Sequence, residues 1–127
     1  MISDCGICLD YDVENVDFYS ERKRHARFRH KCCECAQVIL AGQSYFALSG
    51  KHEGELWSQH ICLPCYEIAH IFSCDGPVLW GNLWNDMDEV VFPELDANSK
   101  CLHKLSNVEA KAFLTERWFK WKERNMF

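Results

Sequence analysis

KCCECAQVILAGQSYFALSGKHEGELWSQHICLPC, running from Lys31 to Cys65, is the stretch whose reading decides the fold. It begins and ends with a C-x2-C pair, Cys32/Cys35 and Cys62/Cys65. At that spacing a tight turn aims both thiolates at one tetrahedral ion, so each pair supplies half of a metal site. Between the pairs, Ser44–Leu48 and Glu55–His60 are rich in Tyr, Phe, Leu and Trp and read as two short strands. The intervening SGKHEG, with Gly50 and Gly54, reads as their hairpin loop. Gly42 falls where the first cysteine turn passes into a strand, a place that calls for positive φ.

Beyond Leu63 the pattern becomes helical. Cys65, Ile68, Ala69 and Phe72 recur at i, i+3, i+4 and i+7 and stop before Asp75-Gly76-Pro77. A cysteine knuckle, a β-hairpin and a second C-x2-C in the first turn of a helix are the elements of a treble-clef zinc finger, in that order. Four thiolates fill a tetrahedral ion and leave no open position, which is the chemistry of a structural metal and not of a catalytic one. His60 is the rival for the fourth ligand.

Working outward, a second helix is expected from about Pro77 to Val91, with Leu79, Leu83, Trp84, Met87 and Val91 on its apolar side. A last helix is expected to open at Ser106 through the capping box Ser106-x-x-Glu109. Its stripe of Ala110, Leu114, Trp118 and Trp121 reads as core, with a partner-binding aromatic end as the alternative. On the other side, residues 1–20 hold five acids and no Lys or Arg. Residues 21–31 hold six Lys or Arg against one acid, +5 in a chain of −5, leaving −10 elsewhere. The expected architecture is thus one α+β domain over 1–127: an acidic and basic N-terminal arm (1–31), a treble clef (32–75) and a helical part (76–127).

The 127 residues include nine cysteines. Nine is odd, six lie in C-x2-C pairs, and the acidic N-terminus has no secretory n-region, so zinc and a reducing, cytoplasmic setting are expected over a disulfide scaffold. The longest runs of AVILMFWYC residues, Val38–Ala41 and Tyr45–Leu48, span four residues, which rules out a membrane helix of about 20. Cys5, Cys8, Cys33 and Cys74 are candidates for a second zinc site, with His30 as substitute ligand; the other reading of Cys33 and Cys74 is that of small buried hydrophobes. Cys101 is left over as a plain thiol. Each four-thiolate zinc adds about −2 to the formal charge, so two would bring the chain near −9.

At HKCCEC…I…G..Y…SG…EG…CxxC the chain resembles a group of small zinc-binding proteins encoded by bacteriophages and prophages. The likeness is carried by Ala26, Arg27, His30, Cys32, Cys33, Glu34, Cys35, Ile39, Gly42, Tyr45, Gly50, Gly54, Cys62 and Cys65, and continues at Cys74, Gly81, Leu83 and Trp84. It covers roughly residues 4–90, and it implies a treble clef and a phage or prophage origin. The group is largely without assigned function.

Three functions are weighed. The first is a non-enzymatic interaction module that binds a host or phage protein, as an acidic inhibitor of a nucleic-acid-binding protein would, through Asp86, Asp88, Glu89, Glu94 and Asp96. The second is nucleic-acid binding through Arg22, Lys23, Arg24, Arg27, Arg29 and Lys31, with His25 or Phe28 to stack on bases. The third, a treble-clef nuclease, needs an Asp-His and a later Asn or His. Between Cys35 and Cys62 there are only His52 and His60, with neither Asp nor Asn, so no enzyme and no small-molecule substrate are expected. His70 and His103 read as ordinary helix or loop histidines.

Overall fold

A computed structural model describes residues 9, 16–52, 54–73, 80–96 and 100–125. Three antiparallel strands, β1 (Val16–His25), β4 (Ser44–His52) and β5 (Glu55–Cys62), form the main sheet in the order β1-β4-β5. β2 (His30–Lys31) and β3 (Val38–Ile39) make a two-stranded ribbon around the first cysteine turn. The helices are α1 (Leu63–Phe72), α2 (Leu83–Asp86), α3 (Lys100–Lys104) and α4 (Val108–Asn125). The protein is therefore mixed α+β, as expected.

The hairpin is longer than its apolar runs suggest. Register runs from Tyr45↔Cys62 to His52↔Glu55, so Gly50 and Lys51 are strand residues and not loop. Gly54 takes φ +84, and Gly42 takes φ +92 as its position requires. Residues 16–25, read as part of an arm, instead pair along β4 as an edge strand, from Val16↔His52 to His25↔Ser44. Residues directly opposite one another share a face. Leu48 and Ile61 therefore point to the covered side, where Phe46 stacks on Tyr66 of α1 at 3.6 Å between ring centroids.

Glu21 fastens the edge strand to α1. Its carboxylate accepts the hydroxyls of Tyr19 and Tyr66 and lies 3.2 Å from His70 Nε2, while Trp80 Nε1 donates to the Tyr19 hydroxyl at 2.7 Å. Burial, and donation to the Glu21 carboxylate, push the hydroxyl pKa values of Tyr19 and Tyr66 upward. His70, read as an ordinary helix histidine, thus has a carboxylate partner.

The face of α1 read from the sequence, Cys65, Ile68, Ala69 and Phe72, is fully buried. α4 packs on α1 through Ala110, Leu114 and Trp118, with Trp121 packed at the margin, so this stripe is core. Its cap differs from the expectation. Asn107 Oδ1 accepts the amides of Glu109 (2.8 Å) and Ala110 (3.2 Å), whereas the Ser106 amide is held by Glu67 Oε1 at 2.6 Å. Asn caps as well as Ser does, and the Glu67 contact decides between them.

The second helix also differs. Trp80 and Gly81 form a turn, with Gly81 at φ +108, so the described helix begins only at Leu83. Positive φ is incompatible with a helix running through from Pro77. From Met87 to Val91 the helix widens into a π turn, with the Phe92 amide donating to Met87 O at 2.8 Å. Leu83, Trp84, Met87 and Val91 are buried, as their periodicity predicts; Leu79 lies outside the described residues.

Ala36 has φ +63 immediately after the first cysteine pair, where its Cβ crowds the backbone. Ala36→Gly is expected to stabilise the protein by about 1 kcal/mol, seen as a rise in the thermal midpoint. An unchanged or lowered midpoint would show that the site carries no strain.

Candidate metal centre

The first half of the site is built by the turn between β2 and β3. The Cys32 amide donates to Gln37 O at 2.9 Å and the Ala36 amide to Cys32 O at 3.0 Å, which folds Cys32–Cys35 into a loop with both sulfurs inward. The second half is the junction of β5 and α1. Cys62 is the residue preceding the helix, extended at φ −69 and ψ 156, and Pro64 stands in the first turn, where it sacrifices no intrahelical bond. Cys65 follows one turn later, fully buried.

The Sγ atoms of Cys32, Cys35, Cys62 and Cys65 all lie within 4.8 Å of one another and could hold one metal ion. Cys35 Sγ and Cys62 Sγ are 3.8 Å apart. A tetrahedron with metal–sulfur bonds of about 2.3 Å has edges of about 3.8 Å, so the spacing fits. Three N–H groups point at the sulfurs from outside. Glu34 and Cys62 donate backbone amides to Cys32 Sγ at 3.4 and 3.5 Å, and Trp84 Nε1 approaches Cys65 Sγ at 3.4 Å. Such bonds orient thiolate ligands and disperse their charge.

The electrostatics point the same way. S–H groups of Cys35, Cys62 and Cys65 directed at Cys32 hold its pKa well below that of an ordinary thiol. Donation to Cys32 raises the pKa of both Cys62 and Cys65. Hydrogen bonds from its cysteine neighbours lower the pKa of Cys35 as well. A divalent cation at the centre takes the place of those protons, which is why such sites release protons as they load.

Cys33 lies inside the turn but outside the cluster. Its amide donates to His60 O at 2.8 Å, and burial pushes its thiol up to about 12. Cys5, Cys8 and Cys74, its expected companions in a second site, lie outside the described residues. Cys101 is fully buried and disulfide-bonded, not the plain thiol expected.

Neither histidine weighed as a ligand joins the four sulfurs. His30 and His60 stack on each other, 4.1 Å between centroids, and both rings also contact Tyr45. Burial, then the neighbouring His30, lowers the His60 pKa.

Glu34 is a positioning residue that the spacing rules do not find. Its carboxylate accepts the amides of Gly81 (2.6 Å) and Leu83 (3.0 Å), tying the first cysteine turn to the start of α2; burial raises its pKa. The only sequence signal for it is an acid enclosed by metal ligands.

The two charged surfaces differ in how far they are satisfied. Of the acids, Asp86 Oδ1 accepts from Asn82 at 3.1 Å, Asp88 lies 3.8 Å from Arg124 and Asp96 is also partnered; Glu89 and Glu94 are exposed. Arg22, Lys23, Arg24, Arg27, Arg29 and Lys31 are all exposed, and none forms an ion pair with a described acid. No helix among the described residues is long and apolar enough to cross a membrane. No protein-family model, curated protein or solved structure matches the chain.

Proposed function

We propose that Cys32, Cys35, Cys62 and Cys65 hold one structural zinc and that the chain is a non-enzymatic binding module for a macromolecule. The observation that carries this reading is the set of four mutually close sulfurs, two from a turn and two from a helix start. An all-thiolate tetrahedron favours zinc among the common ions and leaves no coordination position for a substrate or an activated water. The turn–hairpin–helix order supports a treble clef, and the resemblance to phage and prophage zinc proteins supports an origin of that kind.

The partner must then be recognised by surface. The exposed Glu89 and Glu94 suit a protein with a basic face. The cations of the 22–31 segment, which pair with no acid among the described side chains, suit a polyanion better.

The test uses tagged, zinc-loaded protein and bacterial lysate, with and without nuclease. Retention of a partner that depends on zinc loading, with no cleavage of added nucleic acid, is the expected result. A protein that retains nothing, or that cleaves nucleic acid with metal-dependent turnover, would refute the reading.

A further inference from the structure

The sequence presents 22–31 as one basic run, but a strand has two faces, and β1 divides the run between them. Arg22 lies opposite Ala47 and Arg24 opposite Tyr45, whereas Lys23 lies opposite Phe46 on the side that meets α1. Lys51 of β4 belongs to the face of Arg22 and Arg24, since it lies two pairs beyond Ser49 in the same alternation. The floor between Arg22 and Lys51 is small, Ala47, Ser49 and Ser58, and at the Arg24 end the same face is closed by Tyr45 and His60 stacked with His30. Of the acids with a described register position in this sheet, neither falls on this face. Glu21 and Glu55 both alternate to the other.

The cations also lie in a line. Lys51 is level with Phe18, Arg22 and Arg24 follow along β1, and the chain then turns into Arg27-Phe28-Arg29. At about 3.3 Å per residue the track from Lys51 to Arg24 is about 20 Å long. Phe28 at its end is 74% exposed, an aromatic ring held in solvent between two arginines. A row of positive charge ending in an exposed ring suits an extended polyphosphate with unpaired bases better than it suits a duplex. The screening length at about 0.1 M salt is about 10 Å, so binding reads the charge close to the track and not the total of the chain.

We propose that this open sheet face binds single-stranded nucleic acid, DNA or RNA, with Arg22, Arg24 and Lys51 on phosphates and Phe28 stacked on a base. The proposal rests on the reading of the chain as a binding module and names the partner class. The metal centre serves it indirectly. Cys62 ends β5 on this same face, and the start of the loop carrying Phe28 is held to the turn between β3 and β4 by the Ala26 amide on Gln43 O (2.9 Å) and the Gly42 amide on Ala26 O (2.8 Å).

The experiment is fluorescence anisotropy of oligo-dT and oligo-U of about 12 nucleotides with the zinc-loaded full chain, from about 50 to 200 mM salt. Circular dichroism and zinc content establish that each variant is folded. The variant R22Q/R24Q/K51Q is expected to bind on the order of tenfold more weakly and to reduce the slope of log K against log salt by about 2, at about 0.7 per phosphate contact. Phe28→Ala is expected to weaken binding about tenfold with the slope unchanged. Lys23→Gln is expected to change neither. Folded wild-type protein that ignores both oligonucleotides, a Lys23→Gln loss equal to that of the triple variant, or tighter binding to duplex would each overturn the proposal. A nuclease-resistant protein partner lost in R22Q/R24Q/K51Q would also overturn it, assigning the face to an acidic protein while leaving the binding-module reading intact.

Discussion

Chelation of the zinc is expected to abolish the cooperative thermal transition and collapse the near-ultraviolet signal of the tryptophans. Structural zinc contributes about 10–16 kcal/mol in apparent terms to small domains, which equals or exceeds the roughly 5–15 kcal/mol by which a domain is stable. The four cysteines join two segments about thirty residues apart, so an ion held by them would tie the β2–β3 turn to the β5–α1 junction. Cys65→Ser should reproduce the effect of chelation, because Cys65 is fully buried and its sulfur also receives the Trp84 indole N–H. Cys33→Ser, outside the cluster, should keep this site's zinc. A drop from two zincs to one in that variant would place Cys33 in a second site. A chelated sample that retains a sharp transition would show that the metal is dispensable for the fold.

Glu34→Ala is expected to be the next most damaging change, at about 2–3 kcal/mol, or roughly 10 °C in midpoint. It removes the acceptor of two backbone amides, Gly81 at 2.6 Å and Leu83 at 3.0 Å, at a point where the chain leaves its turn and enters α2. Glu34→Gln should lose less, since its single carbonyl oxygen still accepts one of the two. Equal losses from the two variants would mean that charge, not hydrogen-bond acceptance, is what the site requires. Zinc stoichiometry should remain unchanged in both, which separates this effect from loss of the metal.

The parts of the fold legible in the sequence are those set by short-range rules. Cysteine spacing picks out the four sulfurs that cluster, Pro64 and the i, i+3, i+4, i+7 pattern give α1, and Gly42 and Gly54 mark left-handed turns. β1 was not legible as a strand, because Ser20–Arg24 lacks apolar alternation. Its place is set by pairing along β4 and by Glu21 reaching Tyr66 and His70, some forty-five residues away. The start of α4 turned on a contact equally remote, Glu67 with Ser106, and the start of α2 on Gly81 and Glu34. The division of the basic run between two faces follows from the same pairing, so the composition of 22–31 gave its charge without the geometry.

The position of β1 has a consequence for how two copies of the chain could meet. Among the described residues its outer side has no neighbouring strand, and a ten-residue edge with unpaired amides and carbonyls is a template on which another copy could add a strand. Three consecutive cations, Arg22, Lys23 and Arg24, lie along that edge, so two copies approaching edge to edge would bring like charges together. On this account the charges that offer a polyanion a track also keep the sheet from growing beyond one molecule.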